Sequence, residues 1–194
     1  RFALGIATSS RGADHLRNRP TIDILGLPSA VRKQVYGAPT LDDPAAYETK
    51  EIGVVFCETI FAVCDSLGLC RFVCRGWNSP KLLGYEHFTE MLRPSVGLAM
   101  TPEELSEIGR RVVDLERLIN QREGLGRADD TLPRRYFEDP MPGGNTNGHR
   151  IERSKFEDML TRYYFRRGWD AEGRLTPARE VEIDAACSGL LGKH

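Results

Sequence analysis

Between Tyr47 and Leu67 the chain runs without a proline, and its apolar residues recur at intervals of three and four: Ile52, Val55, Phe56, Thr59, Ile60, Val63 and Leu67. That period matches a helix, and so apolar a helix has to be wrapped by others rather than lie on a surface. Gly53 sits inside it at a cost of up to about 1 kcal/mol relative to alanine. The run closes on Asp65-Ser66-Leu67-Gly68-Leu69-Cys70. The spacing predicts that the helix stops at Gly68, that the backbone turns, and that Cys70 is presented from a loop which the helix holds. Asp65, one turn back, is placed to order that loop or to contact what binds there.

The remaining punctuation adds further helices. Pro28, then Ala30 to Tyr36, then Gly37 reads as a short helix with proline near its start and glycine past its end. Residues 38–46 read as a loop, Gly76-Trp77-Asn78-Ser79-Pro80 as a turn, and Tyr85–Leu92 as a short helix. Thr101-Pro102-Glu103-Glu104 combines an N-cap, a first-turn proline and a capping box, and opens a helix expected to reach Gly124. Residues 126–150 read as a long loop. Ser154 with Glu157 is expected to cap a helix ending near Gly168, and Thr176-Pro177 to open the last one, toward Cys187 and Leu190. No convincing run of alternating strands is present, so the expected fold is all-α, mostly helical with long loops.

The chain has 194 residues, of which 40% are hydrophobic and 28% charged, enough for a real core in a soluble protein. We read residues 1–194 as a single helical domain. The net charge of −1 gives no general attraction to nucleic acid or an anionic membrane. No stretch is apolar for long enough to span a bilayer, and no signal peptide opens the chain. The first residue is Arg1, not Met, so we expect a fragment of a longer polypeptide in which a site could be only half present. The five cysteines, an odd number, argue against a disulfide framework and for a reducing compartment.

Three constellations could carry chemistry. Four cysteines, Cys57, Cys64, Cys70 and Cys74, fall in one window. Cys57 and Cys64 are two helical turns apart and read as small fillers of one buried face. Cys70, past the helix end, is either a turn cysteine tucked under the helix terminus or a single thiolate completing a cluster whose other ligands lie elsewhere. The spacings are not the close pairs of zinc ribbons or ferredoxins. The second constellation is Ala7-Thr8-Ser9-Ser10-Arg11-Gly12-Ala13-Asp14-His15-Leu16-Arg17. Small residues there admit a ligand close to the backbone, the arginines can pair with phosphate, and His15 can move a proton near neutral pH. An ordinary loop entering a helix, with His15 solvated or capping, accounts for the same residues. The third, Glu116 to Gly124 followed by Asp129 to Arg135, reads as a charged helix end and structured turn in which arginines pair with carboxylates.

Taken in order, Ser10-Arg11-Gly12-Ala13-Asp14-His15-Leu16-Arg17, Asp65-Ser66-Leu67-Gly68-Leu69-Cys70, Glu116-Arg117 with Asn120 and Arg122-Glu123-Gly124, Asp129 to Arg135, and Tyr163-Tyr164 with Arg167-Gly168-Trp169-Asp170 form a set that spans almost the whole chain. This set resembles the C-terminal part of the aldehyde ferredoxin oxidoreductase family, tungsten-pterin enzymes whose relatives include reducers of aromatic acyl-CoA rings. The resemblance implies a tungsten bis-molybdopterin cofactor beside one [4Fe-4S] cluster. It implies Cys70 as the fourth cluster ligand, Asp65 and Arg17 as pterin contacts with Leu69 and Arg71 as neighbours, and His15 as the proton donor or substrate-orienting group. It further implies oxidation of an aldehyde to a carboxylic acid with ferredoxin as electron acceptor, in the cytoplasm, with a homo-oligomer compatible. The remaining cluster cysteines and the pterin-binding N-terminal part would lie upstream, so this chain alone is not expected to assemble the metal site or to be active. The alternatives are a ring-reducing aromatic acyl-CoA reductase subunit on the same scaffold, or a structural or interaction remnant without cofactor.

Overall fold

The computed structural model describes residues 2–19, 26–77 and 79–191, with the backbone alone at 145 and 189–191. Asn78, placed in a turn by the sequence, lies outside the described residues, as does Arg1. The architecture is mostly helical. In chain order the helices are α1 (Phe2–Ala7), α2 (Ser29–Tyr36), α3 (Lys50–Ser66), α4 (Tyr85–Val96), α5 (Pro102–Arg122), α6 (Arg135–Glu138), α7 (Arg153–Arg167) and α8 (Pro177–Leu191). Among the described residues there is no sheet, only two isolated β-bridges, Cys74 with Leu83 and Trp169 with Leu175.

Helix α3 is the axis of the molecule. It packs against α1, α2, α5 and α7, as an apolar all-round sequence requires. Its residues enter three apolar clusters. Val54 and Ala62 join Leu4, Val113, Phe156, Leu160 and Trp169. Cys57, Ile60, Phe61, Val63 and Cys64 join Cys74, Trp77, Phe88 and Leu105. Ile52 joins Val35 and Tyr36.

Where α3 ends, Gly68 takes φ +68°, and the Leu69 amide donates back to the Cys64 carbonyl at 2.8 Å. This is the Schellman closure the Gly68 position predicts. The same device ends α5, with Gly124 at φ +89° and Leu125 N–H donating to the Asn120 carbonyl, and α7, with Gly168 at φ +79° and Trp169 N–H donating to the Tyr164 carbonyl. Thr101 caps α5 as expected, its hydroxyl accepting from the Glu104 amide at 3.2 Å while Glu104 accepts from the Thr101 amide at 2.8 Å.

Several boundaries differ from the sequence expectation. Helix α3 begins at Lys50 rather than near Tyr47, because Thr49 adopts φ +62°, which no helix continues. Helix α4 runs past Leu92 to Val96 with Pro94 in its last turn. Ser154 is not a cap: α7 starts at Arg153 with Glu152 in the capping position and no side-chain cap bond. Residues 126–150 are not one structureless loop but contain α6 and a 3-10 turn at Gly144–Thr146. The segment 8–17 leaves a helix, α1.

Candidate functional site

The loop after α1 is built by short-range polar contacts. Gly12 takes φ +87°, and its amide donates to the Ser9 carbonyl at 3.2 Å. Asp14 accepts from the Leu16 amide at 2.6 Å and from the Arg11 side chain. Partial burial works against its charge, but the Leu16 amide and Arg11 outweigh that and hold the carboxyl below its ordinary range. His15 and Leu16 are exposed at the turn so formed.

The second loop follows α3. Cys70 is exposed, whereas Cys57, Cys64 and Cys74 are fully buried. Cys57 donates to the Gly76 carbonyl at 3.6 Å. The hydrogen bond to Cys74 and burial push the Cys64 thiol up, so it remains protonated. The reading of Cys57 and Cys64 as core fillers holds, and Cys70 is exposed rather than tucked under the helix terminus. Cys187, half-buried, packs against the α7 cluster.

Charged side chains join the two loops. Arg71, next to Cys70, donates to Asp65 at 2.9 Å and to the Leu16 carbonyl, next to His15. Arg17 donates to Asp65 at 2.8 Å and pairs with Glu116 on α5. Glu116 also accepts from the Ser10 hydroxyl at 2.7 Å, and the Asn120 side chain donates to the Ser10 carbonyl at 2.7 Å. The structure therefore brings Arg17, Asp65 and Arg71 into one alternating row of charges, with Leu69 partly buried behind it. His15 and Cys70 flank that row, each one residue from a member of the Arg71–Leu16 contact.

Behind the first loop lies a cavity of about 260 Å³. Gly12, Ala13 and Arg17 line it, as do Ser9, Ser10 and Asn120, while His15 is not among the lining residues. Its deep wall is polar. Glu58 of α3 accepts from Tyr163 at 2.9 Å, Asn18 at 3.0 Å and Thr8 at 3.3 Å, and pairs with the fully buried Arg167. Burial disfavours charge on Arg167, but Glu58 and Tyr163 more than offset it and push its guanidinium up. Arg117 pairs with Asp130 at 2.8 Å and also donates to the Gly173 carbonyl at 2.8 Å, so the expectation that arginines here pair with carboxylates is met.

Glu58 escaped the sequence reading. Its signal is that it is the one charged residue between Ile52 and Cys64, which in a buried helix demands an equally buried cation.

Along residues 1–184 the chain matches the family model "Aldehyde ferredoxin oxidoreductase, domains 2 & 3". The chain belongs to the aldehyde ferredoxin oxidoreductase family. It is 33% identical over 185 residues to the tungsten-containing aldehyde ferredoxin oxidoreductase of Pyrococcus furiosus, and 32% identical over 185 residues to that of Thermococcus kodakarensis. Each match covers 94% of this chain and 27% of the relative, so the chain spans about a quarter of the length of these curated relatives. A subunit of P. furiosus named "Aliphatic sulfonate oxidoreductase, WOR-like subunit" is 32% identical over 130 residues, 64% of this chain.

The residues present fit a family metal centre in a limited sense. Among the described residues no group of three or more His, Cys, Asp or Glu could hold a metal ion. The exposed, unbridged Cys70 thiol fits the role of one ligand to a cluster held mainly from elsewhere, and the guanidinium pair of Arg17 and Arg71 fits an anionic cofactor. No described helix is long and apolar enough to cross a membrane.

Proposed function

We propose that this chain is the helical part of a tungsten-pterin oxidoreductase that converts aldehydes to carboxylic acids and passes electrons to ferredoxin. One observation supports it above the others: an exposed thiol, Cys70, and an exposed imidazole, His15, stand on two loops tied together through Arg71, Asp65 and Arg17. The aldehyde reading is preferred to a sulfonate one because the relatives named for aldehydes match along 94% of the chain and the sulfonate-named subunit along 64%.

In this reading Cys70 gives one thiolate to a [4Fe-4S] cluster, and Asp65, Leu69, Arg17 and Arg71 border a bis-pterin tungsten cofactor. The bound cofactor supplies two-electron chemistry at the aldehyde carbon, and the cluster a one-electron path outward. The net change is an aldehyde plus water giving a carboxylic acid, two protons and two electrons, the electrons reducing ferredoxin one at a time. His15 takes up or returns a proton at a ring nitrogen beside the substrate. Arg17 and Arg71 keep positive charge at the rim, balanced by Asp65 and Glu116, so an anionic cofactor meets donors that are already oriented. The cavity behind the His15 loop, which His15 itself does not line, receives the substrate's organic group, with the reacting carbon left on the His15 side of that loop. Burial of Glu58 and Arg167 as a pair leaves its deep wall without net charge, which suits a neutral aldehyde.

The test is Cys70→Ala in the complete protein. The expected outcome is loss of the four-iron EPR signal with iron content reduced, while the protein still folds, because an exposed residue is changed. A four-iron signal unchanged in shape and intensity removes the ligand assignment.

A further inference from the structure

The segment from Ser10 to Arg17, which carries His15, is fastened at both ends to one side chain. Glu116 on α5 accepts from the Ser10 hydroxyl through Oε2 at 2.7 Å and from the Arg17 guanidinium through Oε1. One turn along the same helix, Asn120 donates to the Ser10 carbonyl at 2.7 Å. Among the described residues, the side-chain hydrogen bonds of 11–16 between these points are local or loop-to-loop: Arg11 and the Leu16 amide bond Asp14, and the Leu16 carbonyl accepts from Arg71. Their ties to the helical frame are thus Glu116 and Asn120 on α5 and, through Arg17 and Arg71, Asp65 in the last turn of α3, and of these Glu116 alone holds both ends of the segment. We propose that Glu116 is the positioning residue of the His15 loop: it sets where His15 stands relative to Arg17 and the Cys70 loop.

The chemistry favours a carboxylate at this point. A hydroxyl and a guanidinium approach its two oxygens, and of the two the guanidinium can only donate, so it is best met by an acceptor that also carries negative charge. An amide of the same shape can accept from Arg17 and donate to the Ser10 hydroxyl oxygen, but it brings no charge to the guanidinium. Loss of the negative charge also leaves Arg17 sharing Asp65 with Arg71, two cations on one anion, so Arg17 is drawn away from α5. The proposal goes beyond cofactor binding by Arg17 and Asp65 but rests on the reading of His15 as the proton-handling group.

Two measurements on the complete protein separate the proposal from that reading. In Glu116→Gln, hydrogen exchange of the amides of residues 10–17 is expected to rise about tenfold, the factor for losing one charge-assisted hydrogen bond, with α3 and α7 unchanged. Adding Ser10→Ala to Glu116→Gln is expected to raise exchange by less than Glu116→Gln itself, since the tie it removes carries no charge. In enzyme loaded with its metals, kcat for aldehyde oxidation is expected to fall at least tenfold with KM and metal content held. Exchange at the wild-type rate in residues 10–17, or a rise spread evenly over all helices, overturns the clamp. An unchanged kcat overturns the positioning role. Should the wild-type protein oxidise no aldehyde, the functional reading fails, and the exchange result alone still decides whether Glu116 holds the loop.

Discussion

Glu58 shows how one residue constrains its surroundings. It lies in the most buried helix of the molecule, and each of its neighbours answers its charge: Arg167 from α7, the Tyr163 hydroxyl, Asn18 from the loop after α1, and Thr8. Taking both charges out of water is costly, and the pair is tolerated because most of the remaining lone pairs and protons find partners, including a 3.4 Å bond from Arg167 to Thr59, although the buried Arg167 Nε has none among the described residues. Removing one partner leaves the other buried without compensation. Arg167→Met is therefore expected to destabilise the fold by about 3–5 kcal/mol, read as a lower urea midpoint, whereas replacing both ends with apolar residues of similar volume should recover much of the loss. A single variant as stable as the wild type would mean that Glu58 is neutralised in some other way.

At the scale of elements, the packing of α3 on α5 turns on Gly109. A Cβ there would stand 2.5 Å from the Thr59 carbonyl oxygen and 2.8 Å from Val63 Cγ2. Alanine is the better helix former by about 1 kcal/mol, but the backbone oxygen cannot move aside without moving α3. Gly109→Ala is expected to destabilise by about 1–3 kcal/mol in thermal unfolding, and a gain in stability would show that the two helices can part freely. This contact explains which elements the sequence made legible. Helices with local punctuation could be read: α5 from Thr101 and Glu104, the ends of α3 and α7 from Gly68 and Gly168, α2 from Pro28 and Gly37. What depended on distant partners could not. Gly109 reads only as a weak helix residue until Thr59 is set beside it. The start of α3 was missed because Thr49 takes a left-handed conformation against its type. In the site, the ordered motifs marked Cys70, His15, Arg17, Asp65 and Arg71, and the structure puts them on two adjoining loops and the last turn of α3. Glu116 was visible as part of a charged helix end and of the ordered set but without a role, since its partner Ser10 lies 106 positions away.

For the molecule as a whole, the same burial that orders the core predicts how it fails in alkali. Tyr163 and Tyr164 are both buried. Loss of water and the nearby Glu58 push the Tyr163 phenol well above its ordinary value of 10.0, and loss of water with Asp130 does the same for Tyr164. Both folded values lie above the unfolded ones, so the folded chain keeps two protons that the unfolded chain releases. Stability from this source is fully present below pH 10 and falls as pH rises beyond it, because unfolding is then rewarded by ionisation. Two retained protons correspond to a slope of about 2.7 kcal/mol per pH unit above that point, beyond whatever the other titrating groups contribute. Urea unfolding of the complete protein on either side of pH 10 measures it. Tyr163→Phe loses the bond to Glu58 and is less stable at neutral pH, yet its alkaline slope should be shallower than wild type by about 1.4 kcal/mol per pH unit. The phenolate absorbance of these two side chains should rise only with unfolding, not before it. A Tyr163→Phe protein with the wild-type slope would mean that this phenol ionises freely in the folded state, and that the wall of the cavity behind the His15 loop is open to water.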